Sequence, residues 1–337
     1  MINQVYQLIS PKAISVKYTD ITFSDKVIVR PEYMALCHAD QRYFLGMRDA
    51  KTLNEKLPMA LIHECCGKVV YDPEGIWKSG QRVVLIPNQP STEDDIIYEN
   101  YRKGSKFLSS GYDGFMREFV ELDRSRVVAY EGIAPEVAAI SEFISVGVHA
   151  TSRYDAFAHK RRNTVGIWGD GSLAYIVANV LHIRFPELKL IVIGQSRQKL
   201  AHFSFAEKTY LCDEIPDDMA IDHAFECCGG EGSRLAIEDI IRFINPQGTV
   251  ILMGVSENNV AVNTRMILEK GLSFIGCSRS GREDFEQTVQ LLKSEKLQRR
   301  LRVIITEDAP VKNTEDIYRV FATDLTTPFK TIFKWNI

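Results

Sequence analysis

Residues 163–199, NTVGIWGDGSLAYIVANVLHIRFPELKLIVIGQSRQK, read as strand, glycine turn, helix and strand, and they decide how the rest of the chain is placed. An apolar run over 164–168 enters the turn Gly169-Asp170-Gly171. A helix then opens at Ser172 with Leu173, Ile176, Val177, Val180 and Leu181 on one face, and a second apolar run of strand length covers 188–193. The spacing Gly169, Gly171, Ala174 is that of the G-x-G-x-x-G/A turn. Its first glycine permits the tight turn, its second clears a path for pyrophosphate, and its small third residue lets helix pack on strand. The N–H groups at the helix start would then hold the pyrophosphate. The competing reading is a glycine turn that only reverses the chain, and it leaves the flanking strand, helix and strand unexplained.

The residues after the second strand bear on which dinucleotide is bound. Folds that select NAD usually carry Asp or Glu roughly 20 residues beyond the glycines, where it binds the ribose hydroxyls. Here Gly194 and Gln195 are followed by Ser196, Arg197 and Lys199, so a 2′-phosphate meets donors and positive charge instead of a carboxylate. NADPH is the expected cofactor, lined by Gly169, Gly171, Ser172, Leu173, Gly194, Ser196, Arg197 and Lys199. The alternative leaves Arg197 and Lys199 as solvated residues opening the next helix.

At 337 residues the chain is long enough for two domains of about 100–200 residues each. Its 45% hydrophobic and 25% charged residues show neither the depletion of a disordered chain nor a long apolar span. The opening MINQVYQLISPKAISVKYTD lacks the basic patch, apolar core and small-residue cleavage site of an export signal, so a cytoplasmic protein without membrane segments is expected. A net charge of −3 with no dense basic block argues against nucleic acid as ligand. Seven cysteines, an odd number without framework spacing, suit reduced thiols or metal ligands better than disulfides.

Up to about residue 148, short β-like runs at 26–30, 67–70, 82–86 and 115–122 are broken by turn residues and indicate a strand-rich domain. Two pieces of it carry ligand chemistry, MALCHAD (34–40) and LIHECCGKVV (61–70). Cys37, His63 and Glu64 are thiolate, imidazole and carboxylate, the donor types that hold a catalytic zinc while leaving one position open. Each alone is unremarkable, since buried Cys often packs as a small hydrophobe and a His-Glu pair is commonly just solvated. Glu142 lies in the otherwise apolar ISEFISVGVH (140–149). If ionised there it needs a cation, either as a fourth ligand or as a close neighbour of the ligands. His149 is expected to pack within a helix, and Cys65 and Cys66 to be structural.

Several separated motifs agree in order with one family. The chain resembles the zinc-dependent medium-chain dehydrogenase/reductases. Cys37 to Asp40 falls on their C-x-x-D segment, His63-Glu64 with Gly67 on G-H-E-x-x-G, and Glu142 with Val146, Gly147, His149 and Ala150 on E-x-x-x-V-G-x-H-A. Closer still, it is similar to the bacterial ribulose-5-phosphate reductases that make ribitol 5-phosphate for CDP-ribitol, the precursor of cell-wall ribitol teichoic acids and capsules. YMALCHADQRYF, EKLPMALIHE, SSGYDGFM, DHAFECCGG and ILEKGLSFIGCSRSG carry that likeness. The resemblance implies one catalytic zinc at Cys37, His63, Glu64 and Glu142, with Asp40 as the acid that orients His63. It further implies a homo-oligomer and a ribitol-5-phosphate cytidylyltransferase as functional partner. Two departures matter. The position two after the cysteine, commonly Ser or Thr and the start of the family's proton relay, is Ala39, which leaves His38, Tyr43 or water. The stretch 87–111, where many relatives carry a four-cysteine zinc lobe, has no cysteine, so a second zinc is not expected.

Beyond Lys199 strands and helices keep alternating, with strands at 221–227, 249–254 and 273–277 and helices at 233–243 and 284–297. The fold expected is therefore α/β, with a Rossmann doubly wound parallel sheet for NADP(H) over 149–285. By resemblance, a strand-rich GroES-like catalytic domain takes 1–148 and 286–337, and the active site lies in the cleft. The expected activity is NADPH-dependent reduction of the sugar phosphate D-ribulose 5-phosphate to D-ribitol 5-phosphate, with zinc polarising the C2 carbonyl. The alternatives are an NAD-dependent polyol or alcohol dehydrogenase of the same fold, and a dinucleotide-binding partner of a cytidylyltransferase without turnover of its own. Arg42, Arg48 and Arg279 are candidate anchors for the substrate phosphate, each with a solvated-surface alternative.

Overall fold

The structure, a computed structural model, describes residues 1–23 and 25–337. They divide into two compact units, Met1–Ser145 with Ser280–Ile337, and Val146–Arg279. The crossings fall after Ser145 and Arg279, a few residues before the positions 148 and 285 expected from the sequence. The first crossing lies inside a continuous helix, Ser141–Phe157, so no turn residue marks it.

The unit Val146–Arg279 is built on one sheet in which every pairing is parallel. Its spatial order is Lys208–Leu211, Lys189–Gly194, Thr164–Trp168, His223–Glu226, Thr249–Leu252, Ser273–Gly276. In chain order this is 3-2-1-4-5-6, the doubly wound arrangement, with its switch point between Thr164–Trp168 and His223–Glu226. Val165, Ile167, Val192, Ala224 and Val250 are all buried, as expected of strands covered on both faces. The helix Ser172–Arg184 follows the glycine turn and buries Ile176, Val177, Val180 and Leu181.

The other unit holds two larger sheets. The hairpin Ile2–Ser10 with Ala13–Asp20 joins Met59–Ala60 in one. In the second, Val27–Ala35 is flanked by Glu64–Tyr71 and by the C-terminal strand Lys330–Trp335, both antiparallel to it. The register sets Glu64 and Ile332 on either side of Ala35, so residues far apart in the chain meet just before Cys37. Met34, Leu36, Phe115 and Phe333 are buried in the core around these strands. Two expected elements differ. The run 115–122 is a strand only over Val120–Leu122, because the N–H groups of Gly114, Phe115 and Met116 are drawn to the carbonyls of Ala60, Ile62 and Leu61. The expected helix 284–297 is two, Arg282–Leu292 and Glu295–Arg302, because Ser294 caps the second and accepts the Leu297 N–H at 3.4 Å. Among the described residues no helix is long and apolar enough to cross a membrane.

Candidate active site

Cys37 caps the short helix His38–Phe44, and Asp40 reaches back from its first turn so that Oδ2 accepts the Cys37 N–H at 3.2 Å. Oδ1 of the same carboxylate accepts the Ile62 N–H at 3.0 Å. One buried acid thus ties the cysteine segment to the segment that leads into His63 and Glu64. The ligand atoms of Cys37, His63 and Glu64 all lie within 4.8 Å of one another. That spacing accommodates a tetrahedral ion with ligand bonds of about 2.0–2.3 Å. Glu64 Oε2 is buried without a hydrogen-bond partner in the protein, and a buried orphan acceptor beside a thiol and an imidazole fits zinc.

Two residues that hold this geometry are in the left-handed region, Ile62 at φ 71° and Ser109 at φ 64°. For a β-branched residue such a backbone is an outlier that persists only where the surroundings over-determine it. Ile62 is fixed on both sides, donating to Asp40 and accepting the Phe115 N–H at 2.7 Å. Ser109 has a direct part. Its Oγ lies 2.8 Å from His63 Nδ1 and donates to Asp40 Oδ1 at 3.4 Å. Asp40 Oδ1 itself is 3.7 Å from Nδ1, beyond hydrogen-bond reach. The imidazole is therefore oriented by a serine backed by an aspartate. With Ser109 donating to Asp40, Nδ1–H donates to Ser109, which leaves the Nε2 lone pair for a cation.

Charge follows the same logic. Burial opposes protonation of His63, yet Asp40 and Cys37 beside it hold its pKa well above the ordinary value. Burial likewise opposes the Asp40 charge, but His63 and the two N–H donors keep that carboxyl below its usual range. The pocket favours positive charge.

Lys330 was not foreseen from the sequence. It is buried, 266 residues from Glu64, with its ammonium in contact with Glu64 Oε1. It also donates to Leu36 O at 2.8 Å and lies 4.5 Å from the centre of the Phe143 ring. Burial alone would lower the Lys330 pKa, but Glu64 and Cys37 raise it. Burial pushes Glu64 upward against the pull of Lys330, and Glu142 adds to that push. With the ammonium in contact, the ionised pair is the state the geometry holds. Glu142 is buried but stands outside the group of donors within 4.8 Å. Its charge reaches Glu64 from beside that group. Cys65 and Cys66 are both buried thiols in the strand Glu64–Tyr71, and burial pushes Cys66 up to about 12.

In the other unit Gly169 sits at φ 130°, and a Cβ there would approach the Cys227 carbonyl oxygen to 3.0 Å. Gly171 opens the helix Ser172–Arg184 with clear space where its side chain would be. Asp170, the middle of the turn, accepts the N–H groups of Gln195 and Ser196 at 2.7 Å each. It thereby fastens the loop after Gly194. Ser196 caps the next turn and accepts the Lys199 N–H at 3.3 Å. Arg197 is ion-paired with Glu214, so the acid missing at the strand end comes from a later segment. Both side chains are largely exposed, and such a pair is readily exchanged for a stronger anion. The sequence reading also missed Glu226. Its buried carboxylate accepts the N–H groups of Cys228, Gly229 and Gly254 and the Ser233 hydroxyl, all within 3.1 Å, and so ties together the loops that follow two strands beyond the switch point.

Residues 23–132 match the family described as alcohol dehydrogenase GroES-like domain, and residues 205–294 the one described as zinc-binding dehydrogenase. The chain is 55% identical to the ribulose-5-phosphate reductase of Streptococcus pneumoniae over 100% of this chain and 98% of that one. It is 47% identical to the ribulose-5-phosphate reductase of Bacillus spizizenii over 100% of both. Among solved structures, S. aureus TarJ in complex with NADPH is similar with a TM-score of 0.90 and 41% identity over 100% of each chain. With the parallel nucleotide-binding sheet and the Cys37, His63, Glu64 group already in place, these matches settle the lineage: the chain belongs to the zinc-dependent medium-chain dehydrogenase/reductase family.

Proposed function

We propose that this protein reduces D-ribulose 5-phosphate to D-ribitol 5-phosphate with NADPH, using a zinc held by Cys37, His63 and Glu64 with Glu142 close by. The observation that carries the reading is the meeting of three donors around an orphaned carboxylate oxygen, in a chain 55% and 47% identical to two ribulose-5-phosphate reductases. When bound, zinc polarises the C2 carbonyl and offsets the charge that develops on its oxygen as the nicotinamide gives up hydride. The protein's own groups do the rest. Ser109 and Asp40 fix the ring of His63, and Lys330 fixes Glu64 and keeps its charge compensated. The turn at Gly169 and Gly171, with Ser172, Leu173, Gly194, Ser196, Arg197 and Lys199, holds the dinucleotide. Ala39 offers no hydroxyl, so the proton that completes the alcohol is drawn from His38 or from water. Burial, and then Arg42, lowers the pKa of His38. We place the reaction in the cytoplasm, in a homo-oligomer, ahead of a ribitol-5-phosphate cytidylyltransferase.

Steady-state kinetics on protein of measured zinc content test this. The expected outcome is a kcat/KM for ribulose 5-phosphate with NADPH well above those with NADH, and above those for ribulose, xylulose 5-phosphate and simple polyols. Equal turnover of free ribulose or a plain polyol would replace the reading by a general polyol dehydrogenase. No turnover in zinc-loaded protein would leave only a binding role.

A further inference from the structure

The second strand of the nucleotide-binding sheet ends on a residue with no room for a side chain. Gly194 closes the strand Lys189–Gly194, and a Cβ there would lie 2.5 Å from Asp170 Cβ and 2.7 Å from Asp170 Oδ2. Gly194 is not among the residues with positive φ, so space, not backbone conformation, demands the glycine. Neither side of this approach is free to withdraw. The Gly169 N–H donates to the Ile193 carbonyl at 2.8 Å and pins the glycine turn to the strand. The Gly194 carbonyl accepts the Cys212 N–H at 3.0 Å, which pins the strand end to its neighbour.

That position bears on the choice of dinucleotide. The acid that selects NAD lies near the end of this strand, roughly 20 residues beyond the glycine turn, and binds the ribose hydroxyl. Here the space it would enter is filled from the other side, by the carboxylate of the turn itself. Asp170 Oδ2 accepts the Gln195 and Ser196 N–H groups at 2.7 Å each, and two charge-assisted bonds to backbone donors offset its charge. The same bonds set the path of the chain beyond the strand. They direct it to Ser196, whose Oγ accepts the Lys199 N–H at 3.3 Å, and to Arg197, paired only with the largely exposed Glu214.

We infer that Asp170 is the residue that sets the preference for NADPH over NADH. It acts by position: it keeps an acid out of residue 194 and holds the segment 195–199 in the form that receives the 2′-phosphate. The inference rests on NADPH as the cofactor and adds the residue that enforces that choice. Asp170 and an acid at 194 are mutually exclusive, because the two carboxylates would claim one space and repel each other.

The test measures dissociation constants for NADPH, NADH, 2′,5′-ADP and 5′-AMP by calorimetry on the zinc-loaded full chain, with the thermal unfolding midpoint and zinc content in parallel. The proteins compared are the native chain, Asp170→Ala, Asp170→Asn, Gly194→Asp, and Gly194→Asp combined with Asp170→Gly. Asp170→Ala is expected to weaken 2′,5′-ADP and NADPH by roughly 10-fold while 5′-AMP and NADH change little, so the preference shrinks by a similar factor. Asp170→Asn keeps an oxygen for the two N–H groups and should retain most of the preference. Gly194→Asp alone should lower the unfolding midpoint. Adding Asp170→Gly should restore the midpoint and reduce the NADPH-to-NADH affinity ratio at least roughly 100-fold from the native value. Equal losses for 2′,5′-ADP and 5′-AMP in Asp170→Ala would make Asp170 only a structural part of the turn. Tighter NADPH binding there would make its carboxylate the NAD-selecting acid. Either result overturns the inference, as does a Gly194→Asp protein as stable as the native one with Asp170 in place. If the native protein binds NADH as tightly as NADPH, the cofactor reading itself fails and takes the inference with it.

Discussion

A histidine that is to bind a cation through one ring nitrogen needs the other nitrogen fixed, and here the fixing group is Ser109 backed by Asp40. Removing the hydroxyl isolates its contribution, because Asp40 stays anchored by the N–H groups of Cys37 and Ile62. In Ser109→Ala, Nδ1 faces a carboxylate 3.7 Å away with nothing between. Zinc affinity should fall roughly 10- to 100-fold, as read by competition with a chelator, with the fold unchanged by circular dichroism. Affinity equal to that of the native protein would show that Asp40 alone orients the ring. Lys330 belongs to the same scale. Its ammonium touches the Glu64 oxygen opposite the orphaned one, and that contact offsets the cost of burying the carboxylate's charge.

At the scale of elements, the cysteine-free segment 87–111 is fastened by charge. Arg126, buried beside the strand Val127–Ala129, donates to both Glu99 oxygens, at 2.7 and 3.2 Å, and to the Asn88 carbonyl at 3.2 Å. Glu99 also accepts the Arg282 N–H at 2.8 Å, which ties in the start of the helix Arg282–Leu292. Burial works against the Glu99 charge, but Arg126 and the Arg282 N–H hold its carboxyl below the ordinary value of 4.5. Glu99→Gln leaves a buried guanidinium without a counter-charge, and should destabilise this unit by about 3 kcal/mol. A carboxyl with a depressed folded pKa contributes stability above its unfolded pKa and loses it as pH falls through the folded one. The gap between native and variant in urea unfolding should therefore be full at pH 7 and close as the pH drops below 4.5. A gap that persists in acid would assign the loss to packing.

On the scale of the whole molecule, stability against acid is tied to His223 in the nucleotide-binding sheet. Its Nδ1 accepts the Thr249 N–H at 3.1 Å and its Nε2 lies 3.1 Å from the Arg161 carbonyl oxygen, so the neutral ring satisfies both neighbours and the charged ring cannot accept from Thr249. Burial, with His159 adding, pushes the pKa down from 6.5 to about 4. Between those values the unfolded chain binds more protons, so stability is full above pH 6.5 and falls toward pH 4. The loss between pH 6.5 and 5 should be about 2 kcal/mol, and His223→Gln should lack it in urea unfolding. The same slope in both proteins would move the titration to another group. The sequence by itself determined what depends on neighbours in the chain: the strand, glycine turn and helix around Gly169, the order of strands and helices after it, and the donor types at Cys37, His63 and Glu64. Periodicity and turn chemistry act over a few residues, and the chain states them openly. Ser109, Lys330 and Glu214 were decided by the tertiary structure. Lys330 meets Glu64 only because strand register sets Ile332 and Glu64 on either side of Ala35. Ser109 meets His63 only because a left-handed backbone at that residue aims its hydroxyl inward. Register and such turns are selected by what the whole core buries, and no spacing within a local stretch encodes that.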